Sequence, residues 1–258
     1  MKRIGILGGM GPQATVLLMQ KLIAAVPARD DADHVPLIVD QNPQVPSRIR
    51  HLLEGGNEDP GPVLAAMAQR LQGAGAQALA MPCNTAHHYA PQIRAAVSVP
   101  LIDMVQLSVS RAAELAAGGS VGGSVGGARI GILASPAVRQ VGLFAAALAQ
   151  AGLTPVYARD EAAMLAAIRA IKAGGDLGPA RATLARASAE LLAGGAAVQM
   201  IACTEFSLVA DAVAPGPECF DTLDVLTRAI IAFATSTDAG QNQTDHDPQS
   251  RSAQAPAT

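Results

Sequence analysis

The chain has 258 residues, half of them apolar, with a formal net charge of −3, four Phe, two Tyr and no Trp. That apolar fraction excludes an intrinsically disordered chain. The slight acidity and the scarcity of rings exclude a general phosphate-binding surface and a platform for stacked bases, so nucleic acid is not an expected partner. The length suits one large domain or two small ones.

Met1-Lys2-Arg3 leads into Ile4-Gly5-Ile6-Leu7, an apolar run that stops at Gly8-Gly9. The run is too short for the core of a signal peptide, and no run in the chain approaches the ~20 residues that span a bilayer. It reads as a strand, and the protein as soluble and cytoplasmic with no membrane partner. Gly9-Met10-Gly11-Pro12-Gln13-Ala14 then satisfies G-x-G-x-x-A, and Leu37-Ile38-Val39-Asp40 supplies a strand ending in an acid. A dinucleotide site is one reading of that pair. Against it, Pro12 occupies the turn over which a pyrophosphate would lie, and the same backbone N–H groups suit a substrate carboxylate equally well.

A helix ending at glycine precedes a short apolar strand, Gln77–Pro82, and then Cys83, Asn84, Thr85, His87 and His88 crowd into six positions. Polar side chains packed this densely at a strand end are expected to build a site. A helix would place His87 one turn from Cys83, either as its partner or as a packing residue, and His88 on the surface. After Gly118–Gly127, a glycine-serine run read as a flexible linker, the chain begins again.

Arg-Ile-Gly-Ile-Leu occurs at Arg3–Leu7 and at Arg129–Leu133, each copy followed by small residues and a proline, Pro12 or Pro136. Proline suits the first turn of a helix, so each copy reads as strand, loop, helix. Leu71, Gly75 and Ala76 precede Cys83 at the distances at which Leu191, Gly195 and Ala196 precede Cys203. Strands alternating with long helices indicate parallel sheets. The expected fold is therefore α/β: two similar Rossmann-like lobes related by a pseudo-two-fold axis, with the active site between them. The boundaries are a first lobe at 1–117, a linker at 118–127, a second lobe at 128–233 and a disordered polar tail at 234–258, in which His246 and Asp247 form no metal site.

Three cysteines without a Cys-x-x-Cys pair suggest neither a disulfide framework nor a zinc site. Cys83 and Cys203 stand where ligands bind in open parallel sheets, at the carboxyl ends of strands, whereas Cys219 lies inside a strand and reads as structural. Asn84, Thr85 and Thr204 can cap a following helix or donate to a carboxylate. A thiolate and a thiol on opposite faces of a carbon acid can remove a proton from one side and return one from the other, inverting the centre.

Gly5–Thr15 (GILGGMGPQAT), Pro46–Ile49 (PSRI), Pro82–His87 (PCNTAH) and Cys203–Glu205 (CTE) resemble the aspartate/glutamate racemase family, within it the aspartate racemase branch, over most of the chain up to about Phe233. The resemblance implies a racemase acting on aspartate, with glutamate as a second substrate, by two-base proton transfer without pyridoxal phosphate or metal. It implies Cys83 and Cys203 as the catalytic pair. Arg48, in a loop after the second strand, and Lys172 become substrate-binding cations, Asn84, Thr85 and Thr204 hold the α-carboxylate, and Met10 stands at the mouth of the site. A homodimer is the assembly it suggests. Two alternatives stay open from the sequence: an isomerase or decarboxylase of a small dicarboxylate such as maleate, and a non-catalytic amino-acid-binding protein.

Overall fold

The computed structural model describes residues 1–118 and 127–237. Positions 119–126 of the expected linker and the tail beyond 237, with His246 and Asp247, lie outside the described residues. The first half runs β1 (Ile4–Gly8), α1 (Pro12–Ala25), β2 (Leu37–Gln41), α2 (Arg48–Leu53), α3 (Pro60–Gly73), β3 (Ala78–Ala80), α4 (Ala90–Ala96), β4 (Leu101–Ile102) and α5 (Met104–Gly118). The second runs β5 (Ala128–Leu133), α6 (Pro136–Gln140), α7 (Ala145–Gln150), β6 (Leu153–Tyr157), α8 (Glu161–Lys172), α9 (Gly178–Ala193), β7 (Val198–Ile201), β8 (Glu218–Asp221) and α10 (Thr222–Thr235). Pro12 and Pro136 open their helices as expected. The last helix extends two residues past the expected start of the polar tail.

The two sheets have the same order, β2-β1-β3-β4 and β6-β5-β7-β8, and every pairing is parallel. The sequence repeat is thus a repeat of structure. Ile6 lies between Val39 and Ala80 in one sheet, and Ile132 between Tyr157 and Met200 in the other. Central strands covered on both faces need continuous apolar runs, which is what the two Arg-Ile-Gly-Ile-Leu copies supply. Their glycines mark positions crowded by the neighbouring strand and the helix that precedes it: the atoms nearest an added Cβ are Leu79 Cδ2 at 2.8 Å for Gly5 and Gln199 Cγ at 2.9 Å for Gly131. A Cβ on Gly5 would lie 2.9 Å from the Ala76 methyl, and one on Gly131 3.2 Å from Leu191 and 3.3 Å from the Ala196 methyl.

Sequence division and packing differ in one respect. Helix α5 follows the first sheet but buries Val105, Val109, Ala112 and Leu115 against Ile130, Ile132 and Met200 of the second. Helix α10 returns the exchange, burying Leu223, Leu226, Ile230 and Ala234 against Ile4, Ile6 and Leu18 of the first. Each lobe thus lends its last helix to the other, which fixes the cleft between them.

Asp221 caps α10. Its Oδ1 accepts from the Leu223 N–H at 2.8 Å and from the Ser207 hydroxyl at 2.9 Å, while Oδ2 is buried without a partner. Burial pushes its carboxyl up to about 6. The folded state therefore holds this proton more tightly than the unfolded chain, so stability falls as pH rises from about 4 to about 6, by the order of 2–3 kcal/mol. Asp221→Asn keeps the capping oxygen and removes the charge. Urea melts are expected to show the variant at least as stable as wild type at pH ~7 and the two converging near pH ~4; a less stable variant at the higher pH contradicts this.

Candidate active site

A cleft of about 740 Å³ opens between the lobes at the carboxyl ends of the central strands, and both Cys83 and Cys203 line it. One thiol comes from the loop after β3 and the other from the matching loop after β7. Each is almost fully buried, at 7% and 6% exposure, so neither is a surface cysteine open to general oxidation.

The first lobe supplies Gly9–Ala14, Val45, Ser47, Arg48 and Thr85 to the wall. Gly9 has φ +91°, and a Cβ there would fall 2.4 Å from the backbone carbon of Asn42. Its N–H donates to Thr15 Oγ1 at 3.0 Å. This glycine therefore serves the packing of two loops, and its donor is spent inside the protein. That removes one of the groups a pyrophosphate would use and weakens the dinucleotide reading. Met10, though only 2% exposed, borders the cleft as expected.

Arg48 lies in the short helix α2, as its first residue, and not in a loop. Ser47 caps that helix by accepting from the Arg50 N–H at 3.2 Å. A cation at a helix start goes against the dipole, which makes the position informative. The guanidinium is held by donation from Nη1 to the carbonyls of Val45 (3.2 Å) and Pro46 (2.9 Å), and it lines the cleft.

The second lobe supplies Ser135, Leu165, Ile168, Arg169, Lys172, Cys203, Glu205 and Leu208. Residues 165, 168, 169 and 172 recur at helical spacing, so one stripe of α8 faces the cleft while Met164, Ala167 and Ile171 face the core. Lys172 ends the helix, where a cation is favoured, and pairs with Glu205 Oε1. The other oxygen of Glu205 accepts from Cys203 Sγ at 3.1 Å. Burial first, then the Glu205 charge, hold the Cys203 thiol well above the usual thiol range, so it rests protonated.

Two expected substrate residues do not line the cleft. Asn84 donates from Nδ2 to Thr222 Oγ1 at 3.0 Å, and Thr204 donates to the Pro82 carbonyl at 3.1 Å. Both side chains join one lobe to the other beside the cysteines. Thr85 does both jobs: it lines the cleft and shares a hydrogen bond with Ser135 Oγ at 3.2 Å. The helix expected after each cysteine is replaced by a 3-10 turn, Thr85–Tyr89 and Phe206–Ala212. On the first side Pro91 delays the α-helix to Ala90.

His87 is a packing residue. Its Nε2 accepts from the Met104 N–H at 3.3 Å, which leaves Nδ1 to donate to the Cys83 carbonyl at 2.8 Å. Burial pushes its pKa down and keeps it neutral. His88 is exposed and lies edge-on to Tyr89. Cys219 sits within β8 against the second lobe's core, its thiol pushed up to about 12 by burial.

Glu205, Ser135 and the Glu54–Arg169 pair complete the site without having been singled out from the sequence. Ser135 stands after β5 as Gly9 stands after β1, so the repeat itself pointed to it. The cleft is lined by Arg48, Arg50, Arg169 and Lys172 against Glu54 and Glu205, a cationic excess that suits an anionic ligand. Among the described residues no group of three or more His, Cys, Asp or Glu is placed to hold a metal ion, and no helix is long and apolar enough to cross a membrane.

Duplicated parallel lobes with a thiol from each in one cationic cleft define an α/β protein of the two-lobed racemase fold. The structure superposes on Picrophilus torridus aspartate racemase with a TM-score of 0.77 at 25% identity, covering 91% of this chain and 94% of that one. It also matches an aspartate racemase homologue from Pyrococcus horikoshii (TM-score 0.69, 22% identity, 92% and 100% coverage). A glutamate racemase from Francisella tularensis, solved with D-glutamate, shares the fold at 14% identity (TM-score 0.63, 90% and 80% coverage). In sequence, 110 residues are 30% identical to a broad specificity amino-acid racemase of Bacillus subtilis, over 41% of this chain; the match spans about half of that relative (47%). The family model for Asp/Glu/hydantoin racemases matches residues 7–230, and the chain belongs to that family.

Proposed function

We propose that the protein is an amino-acid racemase acting on aspartate, with glutamate as a second substrate, by proton transfer between Cys83 and Cys203 without pyridoxal phosphate or metal. The observation that carries this reading is the placement of both buried thiols in one cleft, each at the same strand end of a duplicated lobe. Family membership and the likeness to an aspartate racemase support the reaction and the substrate.

In this reading Arg48 and Lys172 take the two carboxylates, which turns the α-carbon toward the thiols. One cysteine, as thiolate, removes the α-proton while the other, as thiol, delivers its proton to the opposite face. The cations also stabilise the negative charge that develops on the α-carboxylate as the proton leaves. The same cationic cleft suits a dicarboxylate isomerase, so maleate is the informative competitor.

Chiral chromatography of L- and of D-aspartate incubated with the purified protein, without added cofactor, tests the assignment. Each enantiomer is expected to approach the racemate, with glutamate slower. Inert aspartate alongside conversion of maleate to fumarate would replace this reading with the isomerase one.

A further inference from the structure

We propose that Glu205 is the group that takes the proton of Cys203, and that it does so when the side-chain carboxylate of a substrate draws Lys172 away from it. The inference rests on the racemase reading and adds a reason why a second carboxylate on the substrate matters for rate.

Three side chains form a continuous series. Cys203 Sγ lies 3.1 Å from Glu205 Oε2, and Glu205 Oε1 is paired with Lys172 Nζ. Both side chains line the cleft, with Lys172 the more exposed at 35% and Glu205 nearly buried at 8%. The first lobe closes over the pair: a Cβ on Gly11 would lie 3.5 Å from both Glu205 Oε1 and Lys172 Nζ. Among the described residues the other charged groups of the cleft make no bond to Glu205. Arg48 donates to the Val45 and Pro46 carbonyls, Glu54 pairs with Arg169, and Arg50 is exposed on α2. Among the described residues Lys172 is thus the cation bonded to Glu205.

While Lys172 is paired with Glu205, the carboxylate's charge is matched by the ammonium and Cys203 stays a thiol. A substrate carboxylate that captures Lys172 leaves the Glu205 carboxylate with the Cys203 S–H group as its remaining hydrogen-bond partner, 3.1 Å away. The S–H bond then breaks, its proton forms an O–H bond on Oε2, and the electron pair remains on sulfur. The Cys203 thiolate takes the α-proton while the Cys83 S–H protonates the opposite face. Turnover ends with a thiol at Cys203, a thiolate at Cys83 and a carboxylic acid at Glu205. Transfer of that last proton through solvent to Cys83 restores the starting state, with no oxidant or reductant involved.

A substrate lacking the side-chain carboxylate leaves Lys172 on Glu205 and the thiol protonated. Selection between aspartate and asparagine is therefore expected in kcat and not only in KM. The wild-type enzyme should turn aspartate over ~100-fold or more faster than asparagine at saturation. Glu205→Gln should lower the kcat for aspartate by ~100-fold or more and that for asparagine by less than ~10-fold, so that the discrimination in kcat collapses. A folded E205Q enzyme that keeps the wild-type aspartate-to-asparagine ratio of kcat overturns the proposal.

A second measurement avoids altering Glu205. In Cys83→Ser protein, succinate binding confirmed by calorimetry should raise the ultraviolet absorbance of one thiolate, and propionate should not. Bound succinate with no thiolate signal overturns the proposal as well. Failure of the wild-type protein to racemise aspartate is a different result: it removes the racemase reading, whereas the thiolate signal reports on the Cys203–Glu205–Lys172 series itself.

Discussion

Cys83→Ala and Cys203→Ala are each expected to abolish racemisation of aspartate, lowering kcat/KM by about 10³-fold or more. The loss must be equal in the two directions, because the equilibrium constant between enantiomers is unity and both directions cross the same barrier. Hydrogen exchange at Cα separates the two variants. Cys83→Ala keeps a thiol only on the second-lobe wall, so only the enantiomer that presents its α-hydrogen to Cys203 can exchange with solvent; Cys203→Ala leaves the opposite preference. Such complementary exchange requires the thiols to face the substrate from two sides, as their separate lobes imply. Loss of racemisation in one variant alone, with full activity in the other, contradicts a two-thiol reaction. Each side chain is small, and its removal deletes only a sulfur from a buried site, so thermal melts are expected to show a folded protein in both cases.

The second large effect is expected at Arg48. Its Nη1 is already committed to two backbone carbonyls, which fixes the guanidinium plane toward the cleft. A planar fork in a fixed orientation accepts a carboxylate through two parallel hydrogen bonds, and charge-assisted bonds of this kind contribute about 1.5–3 kcal/mol each. Arg48→Leu is accordingly expected to lower kcat/KM by about 10²–10⁴-fold. Arg48→Lys should recover little of this, because an ammonium restores the charge but neither the fork nor the ties to Val45 and Pro46. Steady-state kinetics on both enantiomers test this directly. Near-complete rescue by lysine would show that only positive charge is needed at this position.

How much of this was legible in the sequence varied with the range of the interaction. The repeated Arg-Ile-Gly-Ile-Leu and the matched approaches to Cys83 and Cys203 are local patterns, and they announced two similar parallel-sheet lobes with their thiols at equivalent strand ends; the structure adds that the strand order is identical. Pro12 and Pro136 marked helix starts because the signal lies in the proline itself. Arg48 was expected to bind substrate from a loop; it lines the cleft, but its helix was missed: six residues are too few to display a helical period. The exchange of α5 and α10 between lobes was not readable at all, because an amphipathic pattern shows that a helix has an apolar face but not which sheet that face covers.

Asn84 and Thr204 show the same limit within the site. Their side chains suit a carboxylate or a cap, but their partners are Thr222 and the Pro82 carbonyl, far away in sequence and across the lobe boundary. Glu205 is the converse case. It stands two residues from Cys203 in plain view, but its bond to the thiol and its pairing with Lys172 at the end of α8 exist only once α8 packs against the loop after β7. The unassigned letter of the Cys-Thr-Glu motif links a thiol to the lysine of α8.

The most direct test of the account is the isotopic course of the first turnovers in D2O, followed by chiral chromatography with mass detection of the label in each enantiomer, for L-aspartate and, separately, for D-aspartate. Two thiols on opposite faces deliver a solvent deuteron to the product while removing a proton from the substrate. Product is therefore expected to be deuterated at Cα from the outset, with the remaining substrate still protiated, whichever enantiomer is supplied. Early product that retains the substrate's own proton, or substrate that deuterates as fast as product forms, would mean that a single group serves both faces, and would contradict the opposed-thiol mechanism.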